Sequence, residues 1–223
     1  MRAVFFDLDG TLVELPDDFA ALFEAALADH GVRADAERRD YYFDAFFDHL
    51  AACHAEPYRA AMADLRAAYD LDPSAEALAE TYTQREAAAT DLRPGVGEAL
   101  DALAAADCAL GVLTNGGARA QRRKLARHDL AGYFDAVVVS GDVGADKPDP
   151  EIFAAARDAV SADEYAFVAD DLERDVRPAQ DVGFTGVYVT EDVADEGERS
   201  AESRERRPDA TVTSLRDVPA LFE

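Results

Sequence analysis

Four polar clusters carry groups capable of chemistry, and the apolar runs before them have the length of buried strands. Asp7 and Asp9, leading into Gly10-Thr11, follow the run Ala3 to Phe6. Thr114-Asn115-Gly116-Gly117 follows Leu110 to Leu113, and Asp170-Asp171, with Asp175 beyond, follows Tyr165 to Ala169. Lys147-Pro148-Asp149-Pro150 comes a short loop after Ala136 to Val139. Singly, each has an ordinary reading: Asp-Gly and Asn-Gly form turns, Lys-Pro a loop, Asp-Asp a helix cap. Together they set carboxylates, a hydroxyl–amide pair and one of only two lysines past the carboxyl ends of buried strands, where open parallel sheets hold ligands.

The chemistry that fits is phosphoryl transfer. A nucleophile approaching a phosphate dianion needs the charge neutralised first. Two carboxylates two residues apart repel unless a cation lies between them. Asp7 and Asp170 can hold Mg²⁺, which prefers oxygen ligands and few carboxylates. Lys147 can act as a point charge on the transferring oxygens and hold Asp7 ionised. Thr114 and the amides of Gly116 and Gly117 open a helix, whose N-terminus seats an anion. Asp9 is the candidate proton carrier, and Asp7 can serve as a covalent carboxylate nucleophile.

The elements that must position these groups follow from hydrophobic periodicity. From about residue 15 to 91 the pattern is helical throughout, with helices near 19–30, 36–52, 57–69 and 74–90 and no strand signal. From Arg93-Pro94-Gly95 onward, strands alternate with helices, ending in strands near 186–189 and 210–212. That alternation predicts βαβ units and an α/β fold, a three-layer α/β/α sandwich on a parallel Rossmann-like sheet. The expected division is a core of residues 1–14 and 92–223 with a helical domain, 15–91, inserted in it. The charged, aperiodic stretch 191–208 reads as a solvated loop.

Composition narrows the partners. The chain of 223 residues carries a formal charge of −25, which argues against nucleic acid or an anionic membrane. A surface this acidic and this poor in lysine is expected of a halophilic protein working in molar salt. Cys53 and Cys108 have no metal-like spacing and read as buried thiols in a reducing compartment. With no apolar leader and no apolar stretch near 20 residues, a cytoplasmic location is expected.

Asp7-Leu8-Asp9-Gly10-Thr11, Thr114-Asn115, Lys147-Pro148 and Asp170-Asp171 with Asp175 resemble, in order, the four motifs of the haloacid dehalogenase-like (HAD) hydrolase superfamily. The resemblance spans essentially the whole chain, and the helical block matches a cap domain inserted after the first motif. It implies a Mg²⁺-dependent phosphatase acting on a small phosphorylated metabolite, as a monomer or homodimer. Asp7 would be the nucleophile, Asp9 the acid/base, and Thr114, Asn115, Gly116 and Lys147 the phosphate-binding groups. It also implies metal ligation by Asp7, the Asp9 main-chain carbonyl and Asp170. Family members commonly have Gly-Asp-Ser where this chain has Ala169-Asp170-Asp171, so Asp171 and Asp175 both stand as outer-shell acids.

Rival readings are a 2-haloacid dehalogenase, a phosphomutase and an inactive binding protein. Dehalogenases of the superfamily usually lack the second aspartate of the first motif, which is present here as Asp9. In the helical block, Phe43, Phe46, Phe47 and Leu50 recur at helical spacing and are expected to be domain core, while Arg38 or Arg39 is a candidate carboxylate receiver. Hinge motion would concentrate at 14–18 and 93–95.

Overall fold

The computed structural model describes residues 1–190 and 207–222. Most of the predicted loop 191–208 therefore lies outside the described residues. The main sheet has six strands: β1 (Arg2–Phe6), β4 (Ala109–Thr114), β5 (Ala136–Val139), β6 (Glu164–Ala169), β7 (Thr185–Val189) and β8 (Ala210–Val212). Their order is β5-β4-β1-β6-β7-β8, and every pairing is parallel. β1 lies inside the sheet between β4 and β6, which explains its unbroken apolar run: Val4 and Phe6 enter one core, Ala3 and Phe5 the other.

Helices complete the layers. α5 (Val96–Ala105) contributes Val96, Leu100 and Leu103 to the core on one face. α8 (Pro150–Ala159), which follows the one-turn α7 (Ser140–Val143), and α9 (Arg177–Asp181) cover the other face with Ile152, Phe153 and Ala179. The expected three-layer α/β arrangement is what forms.

Between the first two sheet strands lie four helices: α1 (Phe19–Ala28), α2 (Ala36–Ala51), α3 (Pro57–Tyr69) and α4 (Ala75–Ala88). Their starts follow local chemistry. Asp18, Asp35 and Ser74 accept hydrogen bonds from backbone amides as N-caps, and Pro57 opens α3. The four share a core built from Phe23, Leu27, Tyr42, Met62, Leu65 and Leu78. Two short strands, β2 (Val13–Glu14) and β3 (Asp91–Leu92), pair antiparallel where the chain enters and leaves the helical block. Strands of two residues are too short to leave a period in the sequence, so this ribbon was not expected. Among the described residues no helix is long and apolar enough to cross a membrane. Cys53 and Cys108 are free thiols, half-buried rather than buried as expected.

Candidate active site

The parallel topology brings the four clusters to one edge of the sheet. Asp7 leaves β1 with its amide still donating to Val168 O, at 3.0 Å. Asp7 Oδ1 accepts from the Leu8 amide and lies 2.8 Å from Lys147 Nζ. Lys147 Nζ is also 2.9 Å from Asp175 Oδ1, and all three side chains are almost wholly buried. Two buried carboxylates thus share one ammonium, with the Arg174 guanidinium 3.0 Å from Asp175 and 3.6 Å from Asp7. Burial pushes the Asp7 carboxyl up to about 7; Lys147 opposes the rise, and Asp175 and Asp9 add to it.

Asn115 sets the lysine in place. Its Oδ1 accepts from the Lys147 amide at 2.8 Å and its Nδ2 donates to the Lys147 carbonyl at 3.0 Å, just before the cis Lys147–Pro148 bond. The Asn115 amide is therefore committed to Lys147 rather than free toward a phosphate. The Gly116 amide, expected to face an anion, donates instead to Ser140 Oγ at 2.9 Å. Thr114 Oγ, at the end of β4, accepts from Gln121 Nε2 at 2.9 Å.

Asp171 and Asp175 separate clearly. Asp171 accepts from the amides of Glu173 and Arg174, capping the single π-turn Leu172–Val176, and its side chain is partly exposed. Asp175, on that turn, points inward at Lys147. Arg174 lay outside the sequence reasoning, because one arginine between two acidic residues reads as a solvated charge.

Asp170 follows β6 and is held by Thr11, whose hydroxyl donates to Asp170 Oδ1 at 2.6 Å and accepts from its amide at 3.1 Å. Gly10 sits against this carboxylate with φ +92°; a Cβ there would lie 2.9 Å from Asp170 Cγ. Only glycine offers both the left-handed backbone and the close approach. The Asp7 and Asp170 carboxylates and the Asp9 carbonyl are hard oxygen donors beyond the ends of neighbouring strands β1 and β6, with Gly10 against Asp170. Among the described residues no cluster of three or more His, Cys, Asp or Glu side chains is set to hold a metal. By donor chemistry, these oxygens of Asp7, Asp9 and Asp170 are of the kind that Mg²⁺ takes.

Asp9 is held by residues that the sequence reasoning missed. Lys124, from α6 (Ala118–Arg127), lies 2.9 and 3.0 Å from its two carboxylate oxygens, and Gln121 Nε2 is 2.9 Å from Oδ2. Lys124 is buried and reaches Glu86 of α4 at 3.0 Å as well. Burial opposes the Lys124 charge, yet Asp9 and Glu86 outweigh it and raise the ammonium above its ordinary value. Tyr58 of α3 donates to the same Glu86 oxygen at 3.1 Å. The one available signal was that Lys124 is one of two lysines in an arginine-rich chain.

Above Asp9 lies a cavity of about 510 Å³ between the sheet edge and the helical block. Phe43, Phe46, Phe47 and Leu50 of α2 line it, with Asn115, Gly116, Gln121 and Lys124 on the sheet side. The expectation that these four were simply helical core is corrected. Phe43 and Phe46 do pack partly on that core, but Phe47 is 60% exposed at the cavity. Helical spacing marks an apolar face without saying whether protein or an open space meets it. Arg38 and Arg39 pair with Asp35 and Asp40 and do not line the cavity.

Comparison with known proteins adds family context. Residues 4–189 match the model of the haloacid dehalogenase-like hydrolases. A ribulose-1,5-bisphosphate 5-phosphatase of Halopiger xanaduensis is 30% identical, with 98% of each chain covered. A phosphoserine phosphatase of Thermus thermophilus is 43% identical over 49% of this chain and 43% of its own length. Among solved structures, a 2-haloacid dehalogenase from Pseudomonas syringae superposes with a TM-score of 0.75 at 26% identity, covering all of this chain and 98% of that one. The chain belongs to the haloacid dehalogenase-like hydrolase family, on the phosphatase side of it.

Proposed function

We propose that this chain hydrolyses a small phosphate monoester through an aspartyl-phosphate on Asp7. The observation that carries the reading is the junction of Asp7, Lys147 and Asp175 beside Asp9, within 2.8–2.9 Å contacts, at the carboxyl edge of the sheet. Asp7, fixed by Lys147 and the Leu8 amide, attacks phosphorus as the bond to the leaving oxygen breaks. Asp9 carries the proton that the leaving oxygen needs, then takes one from the water that hydrolyses the acyl phosphate. Lys147 balances charge on the transferring oxygens, Asp175 and Asn115 orient Lys147, and Thr114 completes the phosphate seat. Asp7, Asp170 and the Asp9 carbonyl would hold Mg²⁺, which when bound would offset the charge that develops on the phosphate oxygens, while Asp171 caps its turn and Asp175 serves Lys147. Residues 15–91 act as a cap, with the β2–β3 ribbon as its hinge.

The relatives' names favour phosphate esters over halides, and Asp9 supplies the acid that a phosphate leaving group needs. The test is phosphate release from a generic aryl phosphate, with Mg²⁺ in molar KCl, by wild type and Asp7→Asn. Release by wild type that vanishes in the variant and in EDTA supports the reading. Halide release from a 2-halo acid without metal would replace it with dehalogenation, and isomerised phosphate ester without free phosphate would replace it with mutase chemistry.

A further inference from the structure

The walls of the cavity above Asp9 define the kind of alcohol that leaves. Six apolar side chains from the helical block face it: Leu15, Phe19, Phe43, Phe46, Phe47 and Leu50. Most polar side-chain groups lining the cavity, on the sheet side and on the helical block, are already engaged; the buried Glu86 Oε2 is left without a partner. Asn115 holds the backbone of Lys147. Gln121 Nε2 serves Asp9, Thr114 and the Asn115 carbonyl. Lys124 joins Asp9 to Glu86, and the Tyr58 hydroxyl is spent on Glu86. A leaving group with several hydroxyls would give up water here and find fewer partners than hydroxyls, Glu86 Oε2 being the buried acceptor left over. One with an apolar body would bury its surface against the aromatic side chains. A volume of about 510 Å³ admits a group the size of one or two rings.

We infer that this cavity is the leaving-group site and that the preferred substrate class is the phosphate monoester of a bulky apolar or aromatic alcohol, rather than of a polyhydroxylated sugar. The inference rests on the phosphatase reading above. Asp9 in the same wall joins the cavity to the reacting centre, since the group that protonates the leaving oxygen must stand beside it.

The test compares 2-phenylethyl phosphate with glucose 6-phosphate. Both are esters of primary alcohols, so their ratio reports the cavity more than intrinsic reactivity. The phenylethyl ester is expected to have a kcat/KM at least about tenfold higher, because unmatched hydroxyls discriminate on that scale or beyond. Phe47→Asp puts a charge at the mouth of the cavity, on a side chain already 60% exposed, so the fold survives; the ratio should fall by about tenfold. A ratio at or below one in wild type, or an unchanged ratio in Phe47→Asp, overturns the inference. Calorimetric binding of both esters to Asp7→Asn separates the two readings. Absence of phosphate release from every ester defeats the phosphatase assignment alone, whereas glucose 6-phosphate binding as tightly as the phenylethyl ester defeats the apolar-subsite assignment whatever the turnover.

Discussion

Replacing the proposed nucleophile should stabilise the metal-free protein, and the effect should depend on pH. Asp7 and Asp175 share the Lys147 ammonium in an almost fully buried setting, and burial is the main reason that the Asp7 carboxyl rises from 3.8 to about 7. The folded protein then holds this proton more tightly than the unfolded chain does. Stability is fully present below about 3.8, is lost as pH rises, and the loss is complete above about 7. At 1.36 kcal/mol per pH unit that interval corresponds to about 4 kcal/mol. Asp7→Asn removes the charge while keeping an acceptor for Lys147 and the Leu8 amide. At pH 8 in EDTA the variant is expected to gain about 2–4 kcal/mol, or about 4–16 °C in Tm for a chain of this size. At pH 5 the gain should be less than half as large. Added Mg²⁺ should raise the wild-type Tm at pH 8, closing the gap, and leave the variant unmoved. The assay is thermal unfolding of both proteins at pH 5, 6.5 and 8, with and without metal. A variant less stable than wild type at pH 8, or a gain that does not change with pH, would refute the account of the site as a charge-strained seat for a cation.

Other consequences follow from single contacts. Lys124→Met leaves Asp9 and Glu86 facing one another without their cation; urea unfolding should show a loss of about 3–5 kcal/mol, and Lys124→Met with Glu86→Gln should recover part of it. Gly10→Ala would press a methyl group onto the Asp170 carboxylate at φ +92°, so calorimetry should show Mg²⁺ binding at least about tenfold weaker while the far-ultraviolet circular dichroism is kept. With a net charge of −25, the unfolding midpoint should rise between 0.1 and 2 M KCl, and a flat or falling midpoint would remove the halophilic expectation.

What the sequence could reveal of this site divides along a physical line. Asp7, Thr114 and Asp170 stand at or just past the ends of β1, β4 and β6, and parallel strands joined by right-handed crossovers must put those ends on one edge. A local pattern and a topological rule sufficed for them, and Lys147 follows because its loop closes the same edge. The functions of Asn115 and Gly116 were less legible. Their hydrogen bonds run to Lys147 and Ser140, more than twenty residues away, and the Asn-Gly turn looks the same whether its amides face an anion or a neighbouring loop.

The grip on Asp9 was hidden for a stronger version of the same reason. Lys124 lies on α6 and Glu86 on α4, in two structural units whose docking sets their separation, and neither spacing nor periodicity records how one unit sits on another. The apolar face of α2 repeats the point, because its period is equally consistent with packing against helices or with roofing a cavity. Residues proposed to make the common chemistry lie where topology alone delivers them. Residues that would choose the substrate lie where the helical block meets the sheet edge. A buried lysine bonded to Asp9 on one side and to Glu86 on the other ties these two sets together, so a change in how the helical block sits should be felt first at the proposed proton carrier.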